Sequence, residues 1–164
     1  MEIIKFSELI GQEIVEVRFR YTPETSEEYS VQSCYTYIKL ANDMIIDIPN
    51  FGDEDYLHLT PENRDYFQKN FNNGTAISET SRQFLAGQKI VDFFFSYYDN
   101  EPEFDYSAWI KLSNNYYLTE KTHAPMGIYV GFQILSEHEF LKEKERLKKM
   151  QVEIHSFLEG KDGR

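Results

Sequence analysis

Four histidines, one cysteine and two short runs of carboxylates are the residues of this chain whose types could carry chemistry. Two histidines ligate a metal together when a helix or a strand sets them at a spacing that projects both to one side, as in His-Glu-x-x-His or His-x-His. His58, His123, His138 and His155 stand in neither spacing. His138 falls inside the sequence Ser136-Glu137-His138-Glu139, a helix-capping box, and His155 lies near the end of a helical pattern, so surface roles suffice for both. His123, in the loop Lys121-Thr122-His123-Ala124-Pro125-Met126-Gly127, is the remaining candidate, and an ordinary loop histidine is the simpler reading of it. A nucleophilic thiol needs a base or a helix N-terminus beside it. Cys34 sits between Ser33 and Tyr35 in a strand-like run and reads as a small, partly buried hydrophobe. As the only cysteine it forms no intramolecular disulfide and no thiolate zinc cluster, which suits a reducing compartment.

The run Asp99-Asn100-Glu101-Pro102-Glu103-Phe104-Asp105 offers carboxylates at alternating positions, as a calcium loop does, but lacks the sharp-turn glycine and the terminal bidentate glutamate. It reads as a solvated acidic hairpin, and Asp53-Glu54-Asp55 as a charged loop. Gly127-Ile128-Tyr129-Val130-Gly131 punctuates a strand and is neither a phosphate-cradling loop nor a dinucleotide fingerprint. The expectation is a non-enzymatic protein with no metal and no cofactor.

Charge then narrows the partner. The 164 residues carry a formal net charge of −11, a field that repels nucleic acid and anionic lipid and favours a basic protein surface. Thirteen Phe and twelve Tyr give material for a packed core, with a remainder of tyrosines beside acidic loops, the composition of an interface. The expected partner-binding surface joins Tyr97, Asp99, Glu101, Glu103, Asp105 and Tyr106 to Glu27, Glu28 and Tyr29 of an earlier acidic loop. These residues point to an acidic protein-binding module, for example an immunity or antitoxin-like protein neutralising a basic partner. Two other readings are a small-molecule or enzymatic pocket between two halves of the chain, lined by Trp109, Tyr97, Tyr117 and Met126 with His123 at its rim, and a structural subunit forming a homodimer through a C-terminal helix. The first residues lack an apolar stretch of signal-peptide length and no run reaches the ~18 apolar residues of a membrane span, so a soluble cytoplasmic protein is expected.

The elements that must position these residues occur twice. Leu9-Ile10-Gly11-Gln12-Glu13-Ile14-Val15-Glu16 returns as Leu85-Ala86-Gly87-Gln88-Lys89-Ile90-Val91-Asp92, at an offset of 76. Ile38-Lys39-Leu40-Ala41-Asn42 returns as Ile110-Lys111-Leu112-Ser113-Asn114, at an offset of 72. A single domain over 1–164 follows, with a first repeat over 1–76 and a second over 77–164. Each repeat opens on a short helix capped by Ser7, or by Thr80 or Ser81, and stopped by Gly11 or Gly87. Strands follow at 13–21, 31–40, 44–48 and 56–59, and at 89–98, 106–112, 116–120 and 128–135. The first of these alternates and is half exposed; its counterpart, Ile90 to Tyr98, is apolar on both faces and so is either central or covered on its second side. Thr60-Pro61 and Ser136 then start helices, the second predicted to run from Glu137 to about Leu158 with Phe140, Leu147, Met150, Ile154 and Phe157 on one stripe. The fold class is α+β: an internally duplicated unit of short helix, antiparallel β-meander and helix, two copies forming one pseudo-symmetric domain with a long C-terminal helix. Whether the two sheets join edge to edge or pack face to face stays open at this level. The Gly-Gln-x-Ile-Val opening and the Ile-Lys-Leu-x-Asn strand and turn are similar to those of small bacterial proteins, and both are folding signals.

Overall fold

In the computed structural model, which describes residues 2–25, 30–47, 56–59, 61–102, 108–122 and 130–162, each Gly-Gln pair turns a short helix into a long strand. Helix α1 (Phe6–Leu9) leads to β2 (Ile14–Thr25), and α3 (Glu79–Leu85) to β7 (Ile90–Tyr98). Gly11 and Gly87 hold φ of 88° and 81°, a region that costs a residue with a Cβ roughly 1–2 kcal/mol. The turns face each other. Gly11 N–H donates to the Ile90 carbonyl at 2.7 Å and Gly87 N–H to the Ile14 carbonyl at 2.9 Å. Ile14 N–H donates to Gln88 at 2.8 Å and Ile90 N–H to Gln12 at 2.9 Å, so every bond has a counterpart 76 residues on. A bridge between Glu13 and Lys89 lies at the centre of this ring.

The next turns also correspond. β3 (Ser30–Leu40) passes to β4 (Ile45–Asp47) through Asp43 at φ 65°, and β9 (Ala108–Leu112) to β10 (Tyr117–Thr122) through Asn115 at φ 64°. Both β2 and β7 slip register by one residue near their start, at Ile14/Glu16 and Ile90/Asp92. A bulge there swaps which face the following residues present. The main sheet holds ten strands, in the order β12-β7-β9-β10-β11-β3-β2-β6, with β4 beside β3 and β8 (Glu101–Pro102) beside β7. β6 is Thr75–Ala76 and β11 is Val130–Leu135. The two halves join edge to edge where β11 runs parallel to β3 at Val130 and Ser33; the other ladders are antiparallel. Phe6, Leu9, Ile14, Ile38 and Leu40 of the first half pack with Leu85, Ile90, Phe93, Ile110 and Leu112 of the second in one buried core.

Helix α2 (Pro61–Asn72) covers the outer face of the first half, where its Phe71 packs with Tyr37 and Ile45. Helix α4 (Glu137–Lys149) covers the second half, where Phe140 and Leu147 meet Trp109, Tyr117, Val152 and Ile154. The Ser136 box forms, with Glu139 N–H donating to Ser136 Oγ at 3.2 Å. The other caps differ from expectation. Ser78 rather than Thr80 or Ser81 caps α3, and α1 starts after Lys5, whose N–H donates to Glu8 Oε2 at 2.7 Å. Strand β1 (Glu2–Lys5) was not expected; it draws β5 (Tyr56–Leu59) into a separate two-stranded sheet, so β5 does not extend the first meander as β11 extends the second.

The long C-terminal helix is corrected: α4 stops at Lys149, and the chain continues as β12 (Val152–Ser156) and α5 (Phe157–Asp162). Gln151, at φ 66°, donates its N–H to the Lys148 carbonyl at 3.0 Å and reverses the chain. Val152, Ile154 and Ser156 are buried while Glu153 and His155 are exposed, a period of two that lets β12 pair with β7. The helical stripe therefore breaks: Met150 is exposed, and Ile154 reaches the core from a strand. Gln151→Gly should raise stability by up to about 1 kcal/mol, because glycine holds this φ without strain. In one continuous helix the same change would lower stability by a similar amount. The midpoints of urea unfolding read the sign.

Candidate functional site

The β7–β8 hairpin turns on two residues, Asp99 at φ 51° and Asn100 at φ 62°, the left-handed pair that a tight hairpin needs and that Asp and Asn tolerate. This fixes Tyr98 opposite Glu101 and Tyr97 opposite Pro102. On the other side of β7, β12 places Val152 opposite Tyr98 and Glu153 opposite Tyr97. The hairpin tip and the α4–β12 turn thereby enclose a groove of about 400 Å³ lined by Tyr97, Tyr98, Asp99, Asn100, Gln151 and Glu153. Tyr98 is 46% exposed, while the Tyr97 ring packs edge-on to His155 with centroids 5.0 Å apart. His155 Nε2 lies 3.0 Å from Glu153 Oε2. Carboxylates beside an exposed phenol ring suit a cationic side chain, through charge and through the ring face.

A second acidic site lies at the seam between the halves. β4 pairs with Tyr37, Ile38 and Lys39 of β3, and β11 with Ser33. Between them the Thr36 N–H donates to Glu120 Oε1 of β10 at 2.5 Å, so a side chain supplies an acceptor at the place where β3 changes neighbours. Glu120 is 9% exposed. Burial pushes its carboxyl up to about 7, the negative charge of Asp47 adds to this, and the Thr36 hydrogen bonds oppose it. Burial likewise pushes Asp47 up to about 6. Tyr37 is raised well above the ordinary phenol range, first by burial and then by the neighbouring Tyr66, Asp47 and Glu120. Carboxylates with pKa values shifted toward neutrality are the raw material of proton transfer, and also of a structural seam.

The sequence candidates divide. Tyr97 and Asp99 come together in the groove, with Glu101 at its hairpin and exposed. Glu103, Asp105, Tyr106, Glu27, Glu28, Tyr29, His123 and Met126 lie outside the described residues. Trp109 and Tyr117 do not meet across the two halves: they are 1% and 2% exposed and pack around Phe140 beneath α4, with Tyr117 stacked on Phe140 at 4.0 Å. Glu153, Gln151, Glu120 and Asp47 escaped sequence reading. For Glu153 a signal existed, the alternation Val152-Glu153-Ile154-His155-Ser156, which a helical stripe hides by sharing Ile154.

Among the described residues no group of three or more His, Cys, Asp and Glu could hold a metal ion, and no helix is long and apolar enough to cross a membrane. Comparison with protein-family models, with curated proteins and with solved structures finds no match.

The seam makes a pH prediction. Glu120 holds its proton more tightly folded than unfolded, so its ionisation costs stability as pH rises from the ordinary value of 4.5 through about 7. Glu120→Gln keeps an oxygen for Thr36 and removes the charge. The variant should gain on the wild type across that window, by on the order of 2 kcal/mol, and the gap should level off above it. Urea unfolding of both proteins from pH 4.5 to 8 measures the gap.

Proposed function

We propose that this protein is a non-enzymatic, acidic binding module that takes a basic segment of a partner protein into the groove between the β7–β8 hairpin and the α4–β12 turn. The observation that carries the reading is the convergence of Asp99 and Glu153 with the exposed ring of Tyr98, with Glu101 paired to Tyr98 on the same hairpin. No lysine or arginine is among the lining residues, and of the two lining carboxylates Glu153 meets only the His155 ring, so a partner's cation finds no fixed positive charge there. The net charge of −11 would steer a basic surface toward it. Neutralisation of a basic toxin by an immunity or antitoxin-like protein in the cytoplasm is the concrete form of this reading, and its support is analogy of size and charge with other small acidic binders. We also read the halves 1–76 and 77–164 as copies of one unit, on the strength of the reciprocal bonds around Gly11 and Gly87 and the matching turns at Asp43 and Asn115.

The test is affinity capture of a basic protein from the source cell at low and moderate salt, with the triple variant Asp99→Asn, Glu101→Gln, Glu153→Gln alongside. The wild type should retain a stoichiometric basic partner, with an association rate that falls at least about tenfold as salt rises, and the variant should associate slowly at both salts. A partner held equally by both proteins, or no basic partner for either, would sink the reading.

A further inference from the structure

The two outer faces present the same register with different residues. Tyr37 stands opposite Arg18 and Asp47, and Trp109, its counterpart at the offset of 72, stands opposite Phe94 and Thr119. On the covering helices, Phe67 and Asn70 of α2 correspond at the offset of 76 to Glu143 and Arg146 of α4. In the first half the Phe67 ring packs on Tyr37 with centroids 5.9 Å apart, so a ring from the helix covers the buried aromatic. In the second half Glu143 brings no ring. The Trp109 Nε1–H is buried and has no hydrogen-bond partner, an omission that costs about 1–3 kcal/mol. A groove of about 290 Å³ lies there, lined by Trp109, Thr119, Gln133, Leu135, Lys142 and Arg146 together with Glu139 and Glu143.

The charges around it are unequal in availability. Glu143 holds the Arg146 guanidinium in a fork at 2.6 and 3.0 Å. Glu139 Oε1 accepts the Ser136 N–H at 3.3 Å in the capping box. Thr119 Oγ1 donates to the Ala108 carbonyl at 2.6 Å. What the groove offers an incoming molecule is the Lys142 ammonium, the Gln133 amide and the apolar surface of Leu135, with the unpartnered indole N–H of the buried Trp109 among its lining. Its volume equals about ten waters at ~30 Å³ each, room for one ring with a short acid chain.

We infer that this groove, separate from the acidic one, binds a small aromatic carboxylate whose ring takes the place that Phe67 fills against Tyr37 in the first half. Its carboxylate would accept from Trp109 Nε1–H and face Lys142. Trp109 is the only tryptophan, so one indole N–H resonance in a ¹⁵N-labelled sample reports on the site alone. Phenylacetate and benzoate should move that resonance downfield to saturation, and benzylamine, of like size and opposite charge, should leave it in place. Lys142→Gln, at an exposed helix position, should weaken the carboxylates about two- to fivefold without disturbing the fold. A resonance unmoved by millimolar carboxylate would overturn the assignment, as would equal movement with benzylamine or undiminished binding by the Lys142 variant.

Discussion

The ring of backbone hydrogen bonds between Gly11–Ile14 and Gly87–Ile90 is the constraint on which the other elements depend. Each bond contributes only about 1 kcal/mol net, but buried N–H and C=O groups left without partners would cost more than that. The two left-handed glycines aim the N–H groups across the junction, so the long strands β2 and β7 start from one point. With their starts fixed, Ile14 and Ile90 both lie fully inside, and the bulges that follow set which face each strand turns to its helix. A half of this chain is short for a core of its own, and the ring lets two halves bury one.

The halves then part company at their fourth strands. β11 continues its meander, whereas β5 leaves to pair with β1. β4 is only three residues long and pairs with Tyr37 to Lys39, which leaves the earlier part of the β3 edge to β11, and the price is a place on β3, between two neighbours, where a backbone N–H needs another acceptor. Glu120 supplies it. A carboxylate in this position is a stronger acceptor than an amide when ionised, yet burial beside Asp47 disfavours the ionised form. The seam therefore contains a carboxyl that burial pushes from the ordinary carboxylate range toward neutral pH.

Much of this architecture was legible because its signals are local. The recurrence of Gly-Gln, the Asn and Asp turns at Asp43 and Asn115, the Ser136 box and the doubly covered strand Ile90–Tyr98 each follow from a few neighbouring residues. The C-terminal helix was misread because Phe140, Leu147 and Ile154 lie seven apart, a spacing that suits a helix, while Ile154 also fits the alternation of a strand. The decision between them is made at Gln151, whose left-handed backbone carries no glycine to announce it. The separate pairing of β1 with β5 and the reach of Glu120 to Thr36 depend on contacts more than fifty residues apart in sequence, which local pattern does not encode. The acidic hairpin was legible in Asp99 and Glu101, and its other wall was hidden by the same helix error.

Where two halves keep a common frame, the positions at which they differ are the ones free to take on binding. The frame residues around Gly11 and Gly87 match, as do the turns. The outer faces do not: Phe67 and Phe71 over Tyr37 close one, and Lys142 and Glu143 near Trp109 leave a groove in the other. The end of β7 differs from β2 as well, turning back at once through Asp99 and Asn100, where β2 runs on to Thr25. The acidic groove is built on strand residues and short turns and the other on strand residues and α4, all packed on the main sheet, so little ordering would be needed when a ligand or a basic side chain arrives. Three non-glycine residues, Asp99, Asn100 and Gln151, hold left-handed backbone around the acidic groove. Strain of that kind persists where surrounding structure fixes it, and here the two ladders that flank β7 do so, which places the carboxylates before any partner is met.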